Sequence, residues 1–167
     1  NIGYDVAVRI GKAGQVVYAK KDVDHRRLSR WRKDFWWPAA PAQADVAHDL
    51  AYLSASGALP NYDRSIVIPE KTLAALAAQW AQSGETDILG SGSLTKYMPT
   101  TGGRPEIGPY PNWTVQYLLS MDARAKAIVL GNGDLAGSWP IHVRSAKTGR
   151  ILTLDERPKF WISGYRD

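Results

Sequence analysis

At Pro38-Ala39-Ala40-Pro41-Ala42 the hydrophobic period of the chain changes from two to about 3.6, and this switch points to the α+β class. Before it, Tyr4-Asp5-Val6-Ala7-Val8-Arg9-Ile10 alternates, Gly11-Lys12-Ala13-Gly14 is turn chemistry, and Gln15-Val16-Val17-Tyr18-Ala19 resumes the extended pattern, which predicts a β-hairpin. Beyond it the spacing is helical. Val46, Leu50 and Leu53 share a face from about Asp45 to Gly57. Pro69 and Glu70 then open a second helix whose Leu73, Leu76 and Trp80 face one way until Ser83-Gly84.

Pro111 and Asn112 start a third helix running through Met121, and Asp122 caps a fourth that ends near Gly131. Gly84 to Pro111 reads as a long Gly/Pro-rich loop, packed through Tyr97, Met98, Ile107 and Tyr110. Ile141-His142-Val143-Arg144 and Ile151-Leu152-Thr153-Leu154, with Thr148-Gly149 between them, predict a closing β-hairpin. The expected organisation is a β-rich segment 1–37, a helical region 38–138 containing the loop 84–111, and the hairpin 139–167, together one compact unit.

Within the β-rich segment, His25 to Trp37 reads HRRLSRWRKDFWW, with five Lys/Arg, three of the seven tryptophans and one of the two phenylalanines in thirteen residues. Leu28, Trp31 and Phe35 have helical spacing, but Trp31, Lys33, Phe35 and Trp37 alternate. The aromatic content and the preceding hairpin favour a third strand. The basicity is local: residues 1–33 hold nine Lys/Arg against three Asp/Glu, and the other 134 hold twelve against thirteen.

Such a stretch admits three readings. Trp31, Phe35 and Trp37 could fill a core while the arginines cover it from the solvent side. Arg and Lys could meet phosphates while Trp31, Trp36 and Trp37 stack on the bases of a single strand. Alternatively, the same rings could meet pyranose faces, with Arg30, Arg32 and Asp34 on hydroxyls or acidic groups and Tyr97, Arg104 and Tyr110 of the Gly/Pro loop as an opposite wall. The last is the expectation taken forward, as carbohydrate or cell-surface polymer recognition or support of a neighbouring carbohydrate-active region, with a structural or assembly module of a particle or complex, docking a protein partner chain, and single-stranded nucleic-acid binding as alternatives.

Other chemistry is poorly supported. At 167 residues the chain can bury about two-thirds of its unfolded surface without a metal or disulfide, and it has no cysteine for thiolate or zinc-ribbon chemistry. Its 44% hydrophobic and 22% charged residues fit a globular protein, and no apolar run approaches the roughly 20 residues of a membrane span. Gly131, Gly133 and Gly137 imitate a dinucleotide fingerprint, but Trp139-Pro140 leaves no room for the helix such a site needs, so they read as helix-end punctuation. His25, His48 and His142 stand far apart, and no metal or other cofactor is implied.

Gly90-Ser91-Gly92-Ser93 reads as linker, not as a nucleophile elbow. Asp34, Asp49, Asp63, Glu106 and Asp134 leave paired-carboxylate chemistry open without naming a pair. Asn112-Trp113-Thr114 matches a glycosylation sequon, yet its position suggests a cap followed by a core tryptophan.

The run YMPTTGGRPEIGPYPNW, followed by YLLSMDARAK, LAGSWPIHVR and TGR, resembles a segment of large bacterial and phage-encoded proteins that joins a β-rich region to a helical α/α-type region. The likeness covers roughly residues 97–150, and HDLAYL and GALPNYD belong with it. It implies a piece of a longer protein, which is expected to be extracytoplasmic or virion-associated. The start at NIGYDVAV and the aromatic end FWISGYRD also suggest a piece of a longer protein. The group brings no catalytic motif, so no functional residue carries over.

Overall fold

The computed structural model describes residues 1–37, 39–40, 45–95, 108–139, 143–145 and 147–159. Two antiparallel strands, β1 (Ile2–Ile10) and β2 (Gln15–His25), precede four helices, α1 (Leu50–Ala55), α2 (Glu70–Gln82), α3 (Asn112–Ser120) and α4 (Ala123–Leu135), and α4 runs into a 3-10 turn at Ala136–Ser138. The class is α+β.

The hairpin is longer than the alternation of its first strand suggests, because β2 changes parity along its length. Tyr18 and Lys20 turn inward, and so do Val23 and His25, although strict alternation would put Asp22 and Asp24 there. A bulge reconciles them: the pairing shifts between Tyr4↔Val23 and Val6↔Lys20, so Lys21 and Asp22 oppose the single residue Asp5. Asp22 takes a left-handed φ of 53°, and its N–H donates to Asp5 Oδ1 at 2.9 Å.

Residues 29–36 form no strand, so the expected third strand is not present. A turn closed by Ser29 N–H donating to the Arg26 carbonyl, with Leu28 at φ 69°, carries the chain off the edge of β2 and across the half-buried face of the hairpin. The segment's backbone bonds elsewhere: Arg30 N–H donates to the Gly137 carbonyl at 2.8 Å. Gly137 is required at that crossing, because a Cβ there would stand 2.3 Å from Arg30 Cγ.

Other boundaries also differ from expectation. α1 begins at Leu50, not near Asp45, because the Asp49 carboxylate caps it by accepting from Tyr52 N–H; Val46 lies exposed outside it. α4 continues through Gly131 and Gly133 to Leu135. Gly131 is not punctuation: the Trp80 indole of α2 lies against it, 2.5 Å from where a Cβ would stand. For the expected closing hairpin, the described residues show a single antiparallel bridge, Arg144 with Ile151, and a turn in which Gly149 has φ 69°. Ile141 and His142 lie outside the described residues.

The core gathers Leu73 of α2, Trp113 of α3, and Ala125, Ile128 and Leu135 of α4, with Val23 of β2 and Ile88 sealing the side nearest the hairpin. Asn132, only 2% exposed, bridges this core to the Gly90-Ser91-Gly92-Ser93 run: its Oδ1 accepts from Ser93 N–H at 2.8 Å, and its Nδ2 donates to Ser93 Oγ and the Ile128 carbonyl. That run is therefore packed structure and not linker. Ser91 is buried and donates from both N–H and Oγ to Glu85. At the other end of α4, Arg124 forks between the Asp122 cap and Glu70 of α2, tying two helix starts together.

Candidate functional site

The alternation of Trp31, Lys33, Phe35 and Trp37 is real, although no ladder accompanies it. Trp31 Nε1 donates to Tyr4 Oη at 2.9 Å, Lys33 lies over the Tyr18 ring at 4.6 Å, Phe35 tilts against the same ring at 5.7 Å, and Trp37 leans over Gly11 in the hairpin turn. The contacts travel from Tyr4 to Gly11 while the segment advances six residues, a path of roughly 20 Å that needs near-extended backbone. In such backbone the residues between, Arg32, Asp34 and Trp36, face the other way.

Trp31 is anchored by a chain of hydrogen bonds. An indole N–H only donates, so Tyr4 Oη accepts from it, and the same hydroxyl hydrogen-bonds with His25 Nδ1 at 2.7 Å. His25 Nε2 in turn donates to the Ser29 carbonyl, which can only accept, at 2.9 Å. Trp31 is half-buried. Trp36 and Trp37, 56% and 61% exposed, are open to solvent.

The cations of the segment meet carboxylates that the fold delivers. Arg32 grips Asp34 through Nε at 3.2 Å and Nη2 at 2.7 Å, and its Nη1 lies 3.6 Å from Asp134 on α4. That bidentate grip holds the Asp34 carboxyl below its ordinary range and raises the Arg32 guanidinium. Lys33 and Lys20 both pair with Asp87, at 2.8 and 3.4 Å, and Tyr18 Oη donates to the same carboxylate at 2.7 Å. Burial works against the Asp87 charge, but the bonds from Lys33 and Tyr18, the Ile88 N–H and the Lys20 charge outweigh it and leave this carboxyl far below its usual range. Tyr18 is pushed up, first by burial and then by Asp87.

Of the residues nominated from sequence, the fold thus aligns Arg32, Asp34 and Trp36 on one outward row, with Trp37 flanking it. It turns Trp31 inward and lays Arg30 over Gly137. Tyr110 is half-buried ahead of α3, while Tyr97 and Arg104 lie outside the described residues. The other histidine described, His48, engages the Leu118 carbonyl and the Tyr117 ring. Asn112 is the first residue of α3, after Pro111 at the cap position, and Trp113 is core.

Sequence reasoning did not find Asp87, Tyr4 or Gly137, the groups that hold the row in place. Tyr4 could have been weighted by its inward parity on β1; nothing local marks the other two. A separate cleft of about 940 Å³ lies between β2 and the loop after α2, lined among others by Lys20, Asp24, Arg26, Glu85 and Ser91. No tryptophan lines it. Comparison with protein-family models, curated proteins and solved structures gives no match.

Proposed function

We propose that this chain recognises a carbohydrate, as a cell-surface or other hydroxyl-rich polymer, through the outward row of Arg32, Asp34 and Trp36, with Trp37 at its margin. The observation that supports this reading is an open indole two residues along an extended chain from a locked Arg–carboxylate pair. At about 3.3 Å per residue the two are roughly 7 Å apart. An indole face suits the apolar C–H face of a pyranose, and a fixed guanidinium–carboxylate plane supplies both donors and acceptors to hydroxyls.

The same geometry favours binding over hydrolysis. A general acid needs a raised carboxyl pKa, whereas Arg32 lowers that of Asp34.

The test is retention on a panel of immobilised polysaccharides. Trp36→Ala is expected to weaken retention on the recognised glycan at least tenfold, while Tyr52→Ala, which removes an equally open ring on α1, leaves it unchanged. Equal binding by Trp36→Ala and the parent, or no retention on any glycan, would overturn the reading. In the latter case, concentration-dependent self-association or affinity for an oligothymidylate would point to assembly or nucleic acid instead.

A further inference from the structure

Resting on that reading, we infer that the row selects uncharged glycans and discriminates against acidic ones, despite lying in the most basic stretch of the chain. A cation recruits a polyanion when its charge is available to it. Here the two cations nearest Trp36 in sequence are already committed. Arg32 lies between Asp34 at 2.7 Å and Asp134 at 3.6 Å, and Lys33 is held at 2.8 Å by Asp87 under the Tyr18 ring.

For an incoming uronate, sulfate or phosphate to take Arg32, it would have to displace a two-bond contact and approach two carboxylates of its own sign. A neutral hexose has no such conflict. Its hydroxyls can donate to the lone pairs that Asp34 keeps beyond its contacts with Arg32, and accept from the remaining guanidinium N–H groups, without breaking the pair. Arg26 and Arg27 belong to the opposite end of the segment, beyond Trp31, and Arg26 opens on the cleft beside Asp22 and Asp24. The fold therefore separates the aromatic end of HRRLSRWRKDFWW from its most cationic end.

The experiment compares the whole chain on a soluble neutral β-glucan, on polygalacturonate and on an oligothymidylate, each at low and high salt. Parent protein is expected to bind the neutral polymer with affinity that changes less than twofold with salt, and to bind the two polyanions at least tenfold more weakly. Asp34→Asn combined with Asp134→Asn frees Arg32. It is expected to gain at least fivefold in polygalacturonate affinity at low salt, a gain lost at high salt. Tyr52→Ala, which touches none of these charges, keeps neutral-polymer binding within twofold, and circular dichroism checks that each variant is folded.

Parent protein preferring polygalacturonate with a steep salt dependence would overturn this inference and leave carbohydrate recognition standing. A preference for the oligothymidylate, or binding to no glycan, would overturn both.

Discussion

Gly131 and Gly133 lie two residues apart in α4 and look alike in sequence, yet their surroundings assign them opposite roles. A Cβ on Gly133 would meet nothing within 4 Å, whereas one on Gly131 would stand 2.5 Å from Trp80 Cζ2, part of a rigid ring that cannot fold away. Gly133→Ala is therefore expected to stabilise the protein by about 0.5 kcal/mol through helix propensity alone. In Gly131→Ala the same gain is overturned by overpacking, for a net loss of about 1 kcal/mol. Urea unfolding of the two variants reads the sign directly, and equal signs would refute the close indole–backbone packing. Residue-scale features set by local chemistry were legible, among them the Asp122 cap and the core position of Trp113. Gly131 was not, because the space it leaves is defined by a side chain fifty-one positions away.

Elements show the same division. The hairpin and the second, third and fourth helices follow from periodicity, while the bulge in β2 and the path of the aromatic segment depend on contacts that periodicity does not carry. In β2 the bulge lets Val23 reach the core, and it relies on a carboxylate seventeen residues earlier accepting the Asp22 N–H. Asp5→Ala is expected to cost about 1 kcal/mol and to speed amide hydrogen exchange around Asp22 and Val23. Asp5→Asn keeps an acceptor and should restore most of the protection; exchange unchanged in Asp5→Ala would show that the bulge is held by the strands alone. In the aromatic segment the alternation correctly indicated extended backbone, but Tyr4, Tyr18 and Gly11 bind its side chains while its backbone turns to Gly137. Alternation reports which residues share a side; it does not report whether an edge or a face receives them. The row Arg32, Asp34, Trp36 was consequently within the nominated set, but mixed with inward-facing Trp31.

At the scale of the molecule, the hairpin and aromatic segment meet the loop after α2 at one carboxylate. Asp87 accepts from Tyr18 and Lys33 and pairs with Lys20, which also donates to the Ile88 carbonyl at 2.8 Å. Its pKa is well below the ordinary 3.8, and the capping carboxyl of Asp122 is lowered to about 2, chiefly by Arg124. Both are depressed on folding, so their contributions are complete above pH about 4 and are lost as pH falls through 4 towards 2. The urea midpoint should accordingly fall steeply across that interval. Asp87→Asn removes one of the two groups: at pH 7 it is expected to be less stable by about 2 kcal/mol, having lost its charge-assisted bonds. At pH 2 the gap between variant and parent should narrow, because the unfolded parent then binds a proton at this carboxyl that the folded protein does not. A gap that stays constant from pH 7 to pH 2 would mean that Asp87 contributes by shape and not by charge. The aromatic row would then owe its position to the Trp31–Tyr4–His25 chain and the packing of Phe35 on Tyr18.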